Sequence, residues 1–196
     1  MLLRHTLAAV STIAIVALAE SAPRAEDVVD APQARPVRAA LELAPIDLFI
    51  GRLAFVGTML VAPHHALTAT LHGDYMPREQ KFVFKQANDV AFGGLGGELG
   101  WHVYARGEEL RGFWFGPSLV FEALSAQVGN DPSRSFTATG LAFDAGATAG
   151  EGIVVDFALG LQMTHLTNDE SPPDIVALIA GGGPRPRVLL GIGLPL

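Results

Sequence analysis

The sequence predicts an all-β protein: an eight-stranded antiparallel up-and-down transmembrane β-barrel over residues 38–196, preceded by a signal peptide. Three observations carry that expectation. Hydrophobic residues make up 49% of the 196, yet no stretch beyond the N-terminal segment offers the ~18 continuous apolar residues that mark a membrane helix. One segment after another alternates apolar residues with small or polar ones at period two, the repeat of a strand with two different faces. Those segments run to about 10–14 residues, whereas strands of soluble sheets average about 5–6.

The N-terminal residues read as targeting. Arg4 and His5 precede an apolar run over 7–18, which ends in the small-x-small pattern Ala17-Leu18-Ala19. The run is too short for the roughly 20 residues of a helical span, and Glu20, Arg24 and Glu26 follow it, so residues 1–19 are expected to be a cleaved secretory signal. Residues 20–37, with Pro23, Pro32 and Pro36 among Glu26, Asp27 and Asp30, show no apolar period and are expected to form a disordered periplasmic leader. The chain has no cysteine, which removes disulfides and a lipidated N-terminus together. A formal charge of −7 argues against a nucleic-acid partner, because phosphate binding needs clustered Lys and Arg.

Strands are assigned in chain order from the alternation. Residues 38–43 form a short segment readable as strand or not. Residues 46–60 are hydrophobic without clean alternation and turn at Ala62-Pro63-His64-His65. Leu67, Ala69, Leu71, Gly73 and Tyr75 then alternate with Thr68, Thr70, His72 and Asp74. In residues 94–106, Leu95, Leu99, Trp101 and Val103 oppose Glu98, Gly100, His102 and Tyr104. The clearest case is 111–123, where Phe113, Phe115, Pro117, Leu119 and Phe121 oppose Trp114, Gly116, Ser118, Val120 and Glu122. Leu141 and Phe143 oppose Asp144 and Gly146; Ile153 to Met163 on odd positions oppose Asp156, Ala158, Gly160 and Gln162. The last strand shows Val188, Leu190, Ile192, Leu194 and Leu196 on one face.

Short turns near 62–66, 107–109 and 150–152 alternate with longer connections near 76–91, 124–135 and 166–185, the latter containing a segment at 174–181 readable as a ninth extended piece. Short turns on one side and long loops on the other are the outer-membrane arrangement, with both termini in the periplasm. The polarity of the two faces points the same way. Bulk lies on the apolar face, with Leu99, Trp101, Phe113, Phe115, Leu119, Phe121, Phe143, Phe157 and Leu159 expected to face lipid. The other face is mostly Gly, Ala, Ser and Thr with isolated charges, which suits a narrow packed lumen.

Several pieces, Phe49-Ile50-Gly51, Ala62-Pro63-His64-His65-Ala66, Gly97-Glu98-Leu99-Gly100 and Leu110-Arg111-Gly112-Phe113-Trp114-Phe115-Gly116-Pro117, look like a bacterial outer-membrane β-barrel family of uncharacterised function. Its members resemble the small eight-stranded barrels of the outer-membrane protein A transmembrane type. The resemblance covers most of the mature chain. It implies a fold, outer-membrane lipid as the surrounding partner and the assembly machinery as a partner during insertion; it carries over no catalytic residue.

The candidate functional residues are the carboxylates that alternation sends inward, Glu98, Glu122, Asp144 and Asp156, with His72, His102, Arg52 and Arg106 as partners in a lumen polar network. Unpaired charges in a narrow lumen are costly, so a hydrogen-bonded network is expected of them. His64-His65 is read as an interfacial turn rather than a metal site, and the glycine run 93–100 fails the G-x-G-x-x-G spacing of a phosphate loop. No metal, cofactor or catalytic group is assigned, no external ligand is named, and the expected role is structural or surface interaction. Two other readings stay open: a soluble periplasmic barrel for a small apolar ligand, and a lipid-modifying hydrolase, which requires a Ser and a His within hydrogen-bond reach.

Overall fold

The computed structural model describes residues 36–76, 90–107, 109–167 and 183–196. The expected signal peptide, nearly all of the expected leader and the segment 174–181 lie outside them. Within the described residues the chain forms β1 (Ala39–Leu43), a 3-10 helix (Pro45–Ile50), β2 (Arg52–Ala62), β3 (His65–Met76), β4 (Val90–Tyr104), β5 (Gly112–Val128), β6 (Arg134–Ala149), β7 (Val154–Leu166) and β8 (Gly183–Pro195). Each strand pairs antiparallel with its sequence neighbour, and β1 pairs with β8, so one up-and-down sheet closes into a ring. None of the described helices is long and apolar enough to cross a membrane.

Period-two alternation sets the facing of every strand. In β5 the even residues from Trp114 to Ala126 are buried while the odd ones from Phe113 to Ser125 are exposed, without a slip along that stretch. β2 alternates just as regularly, with Leu53, Phe55, Met59 and Val61 outward and Ala54, Thr58 and Leu60 buried. Its alternation is hard to read in the sequence because both faces carry apolar residues, and because residues 46–50 are not strand. Pro45 opens a 3-10 helix there, which Gly51 ends at φ +76°. A side chain on Gly51 would meet the Tyr75 carbonyl oxygen at 2.8 Å, so glycine is required both by conformation and by space.

Three further boundaries differ from expectation. The connection expected at 124–135 is confined to 129–133, because alternation continues past it with inverted polarity: Leu124, Ala126, Phe136 and Ala138 are buried inside, while Ser125, Gln127, Ser135 and Thr137 face out. Val37, expected at the end of a disordered leader, is buried, and its carbonyl accepts the Leu110 N–H at 2.7 Å. Pro117 leaves a gap in the β4–β5 ladder between Gly100–Ser118 and Val103–Phe115 with no change of register, so the missing N–H costs a local break and not a bulge.

The ring is lopsided. β1 is only 5 residues long and pairs with β8 from Ala40–Pro195 to Leu43–Ile192. The Leu196 N–H donates to the Ala39 carbonyl, so even-numbered residues of β8 aim their N–H groups toward β1. Pro184 and Pro186 share that parity and lie above the last β1 pair, where the ladder has no bond to lose. The interior is layered. An apolar cluster of Met76, Phe92, Leu124 and Phe136 fills the end toward the long connections. A second, with Val37, Leu60, Tyr104, Leu110 and Trp114, fills the short-turn end. A belt of polar residues lies between them.

Candidate site in the polar belt

The belt is built from residues on strand positions that alternation turns inward, and it holds three groups. In the first, Arg52 at the start of β2 donates from Nε to Asp74 Oδ1 at 2.8 Å and from Nη2 to Glu122 Oε1 at 2.9 Å. His72 Nε2 lies 2.8 Å from Glu122 Oε2 and 3.9 Å from Asp74 Oδ2. In the second, Arg187 on β8 donates to Glu98 Oε2 at 2.9 Å and to Gln162 Oε1 at 3.3 Å. Its Nε also lies 3.2 Å from Asp144 Oδ1, an ion pair not aligned as a hydrogen bond, since neither Asp144 oxygen has a hydrogen-bond partner among the described residues. In the third, Trp114 Nε1 and the Thr148 hydroxyl donate to the two oxygens of Asp156 at 3.1 and 3.3 Å. His102 stacks on Trp114 with centroids 3.9 Å apart, and its Nδ1 lies 3.2 Å from Thr68 Oγ1.

Glycines on adjacent strands make room for these groups. A Cβ on Gly96 would collide with His72 Nε2 and Glu122 Oε2, one on Gly160 with Asp144 Oδ1, and one on Gly191 with Glu42 Oε2. The small residues of the lumen face are therefore the volume into which neighbouring carboxylates fold. The groups border a cavity of about 350 Å³.

Of the sequence-predicted network, Arg52, His72, Glu98, His102, Glu122, Asp144 and Asp156 all point inward. Arg106 does not: it sits in the turn after β4 with its side chain 74% exposed, 4.0 Å from Glu109, because the strand ends at Tyr104 and alternation no longer governs its facing. The predicted outward residues do face out, from Leu99 and Trp101 to Phe143 and Leu159; Phe157 shares their facing but is half-buried. Sequence reasoning missed Glu42, Asp47, Asp74, Arg185 and Arg187. Asp74 shares the parity of His72, and Arg187 that of Leu189 and Gly191, which is the signal that marks them.

Acidic groups outnumber cations in and around the cavity: Glu42, Asp47, Asp74, Glu98, Glu122, Asp144 and Asp156 stand against Arg52, Arg185 and Arg187. Burial pushes the Asp47 carboxyl, on the 3-10 helix, above its ordinary value against the pull of Arg52, His72 and Arg187. Ser118 Oγ and His102 Nε2 both flank Gly100, and the other ring nitrogen of His102 meets the Thr68 hydroxyl where the residues of a Ser-His-Asp triad would place a carboxylate. The cavity wall combines these charged groups with apolar side chains, Val56, Trp114, Val188 and Leu190 among them.

Comparison with protein-family models, curated proteins and solved structures finds no match to this chain.

Proposed function

We propose that this chain is exported through its signal peptide and inserts into an outer membrane as a transmembrane barrel, where it serves a structural or surface-interaction role without catalysis. The observation that carries this reading is the outward belt. Leu71 and Leu95 are 73% and 72% exposed, and Leu161, Leu99 and Phe113 are 61%, 59% and 56% exposed. They belong to a band that continues around the ring on all eight strands. Soluble monomers rarely expose contiguous apolar area beyond a few hundred Å²; in a bilayer the same belt is satisfied.

Its height supports the reading as well. On β5 the outward apolar run from Phe113 to Phe121 covers about 27 Å along the strand at ~3.4 Å per residue, or about 21 Å once a strand tilt near 40° is allowed, against an apolar band of ~25 Å in such barrels. Beyond Ala123 the outward residues turn polar. The lumen, with an apolar layer at each end of a salt-bridged belt, suits a plugged barrel better than a water-filled pore. The partners in this reading are outer-membrane lipid along the belt and the assembly machinery during insertion, an expectation the resemblance to small outer-membrane barrels also carries. External contact falls to the long connections.

The test is fractionation of the chain expressed with its own N-terminus, then gel mobility with and without heating in detergent. Recovery in the outer membrane with a heat-shifted band is expected; a soluble periplasmic product indifferent to detergent would overturn the assignment.

A further inference from the structure

The first group of the belt has a feature that a salt-bridge network alone leaves unexplained. Asp74 Oδ2 is buried and has no hydrogen-bond partner among the described residues, although an orphaned carboxylate oxygen is among the more costly things to bury. It points toward His72 Nε2 and, with Glu122 Oε2, completes three donor atoms within 4.8 Å of one another.

We propose that His72, Asp74 and Glu122 form a binding site for a divalent transition-metal cation, with Zn²⁺ the best-matched ion. The donor set is one imidazole nitrogen and two carboxylate oxygens, the combination that borderline cations accept at ~2.0–2.2 Å. Hard cations such as Ca²⁺ prefer oxygen alone and would leave His72 unused. His72 Nε2 lies 2.8 Å from Glu122 Oε2 and 3.9 Å from Asp74 Oδ2, separations of the order of those between ligands that share one ion. β3 presents His72 and Asp74 two residues apart on one face, and Gly96 on β4 leaves the gap across which Glu122 reaches from β5.

Arg52 supplies the outer sphere. Its guanidinium holds Asp74 Oδ1 and Glu122 Oε1, which fixes both carboxylates and turns Oδ2 and Oε2 toward His72, where the cation would take the place of the proton that His72 Nε2 and Glu122 Oε2 share at 2.8 Å. Two carboxylates share that single guanidinium, so a divalent ion adds positive charge where the pair lacks it. His72 also borders the cavity, which gives space for water ligands. The site stands whether or not the barrel sits in a membrane.

The test uses the full chain, folded in detergent micelles or in buffer, stripped with a chelator and titrated with Zn²⁺ by calorimetry. One equivalent per chain is expected, together with a higher unfolding temperature. Asp74→Asn and His72→Gln, confirmed as folded by circular dichroism, should each weaken binding at least about tenfold, while His165→Ala on the outer face leaves it unchanged. A folded wild-type chain that takes up no zinc, or variants that bind as tightly as wild type, overturns the proposal. Should both variants fail to fold, X-ray absorption of the zinc-loaded wild type decides: a shell with one imidazole and oxygen donors supports the site, and a shell with none or several refutes it.

Discussion

Gly96 and His72 are bound by a steric relationship: the space a side chain at Gly96 would fill is where His72 Nε2 meets Glu122 Oε2 at 2.8 Å. Gly96→Ala should therefore push the pair apart and destabilise the barrel by about 1–3 kcal/mol, the range for overpacking a filled interior. Denaturant unfolding followed by tryptophan fluorescence measures it, and an unchanged midpoint would show that the pair has room to retreat.

Arg187 holds Glu98 and Asp144 together, with its side chain only 12% exposed. Arg187→Met leaves two carboxylates without their cation and should cost about 3–5 kcal/mol. Replacing Arg187, Glu98 and Asp144 together with Met, Met and Leu should recover most of that loss, because an apolar lumen no longer has charges to solvate. Arg106→Ala, at the exposed turn, should stay within about 0.5 kcal/mol. Unfolding midpoints for the three variants test the ordering.

Arginine placed on the outer wall should report depth. Phe115→Arg and Leu119→Arg, in the middle of the apolar run on β5, are expected to lower stability in vesicles by about 2–4 kcal/mol, whereas Ser125→Arg and Thr137→Arg, beyond it, should cost about 0–1 kcal/mol. Equal effects at all four positions would remove the distinction between lipid and water along that wall.

The sequence made legible whatever follows from parity inside a regular strand. Seven of the eight predicted network residues point inward for that reason alone, and Arg106 fails because it lies past Tyr104, where the strand ends. The 3-10 helix at 45–50 was hidden by a hydrophobic composition equally suited to strand. The length of β5 and β6 was hidden by polarity: Ser125, Gln127, Ser135 and Thr137 suggest a loop when outward residues are assumed apolar, yet Leu124 and Phe136 pair across the same ladder with their side chains inside. The partners inside the belt were invisible for a different reason. His72 and Glu122 are 50 positions apart and meet only because β4 carries glycine between them.

The chain has two tryptophans, one on each face of the wall: Trp101 is 44% exposed on the outside, and Trp114 is 3% exposed in the lumen. Single-tryptophan variants, Trp114→Phe and Trp101→Phe, reconstituted in vesicles containing brominated phospholipid, measure directly whether the outer wall meets lipid. The account predicts strong quenching of Trp101 and little quenching of Trp114; folded protein in which Trp101 escapes the brominated chains would contradict the transmembrane barrel.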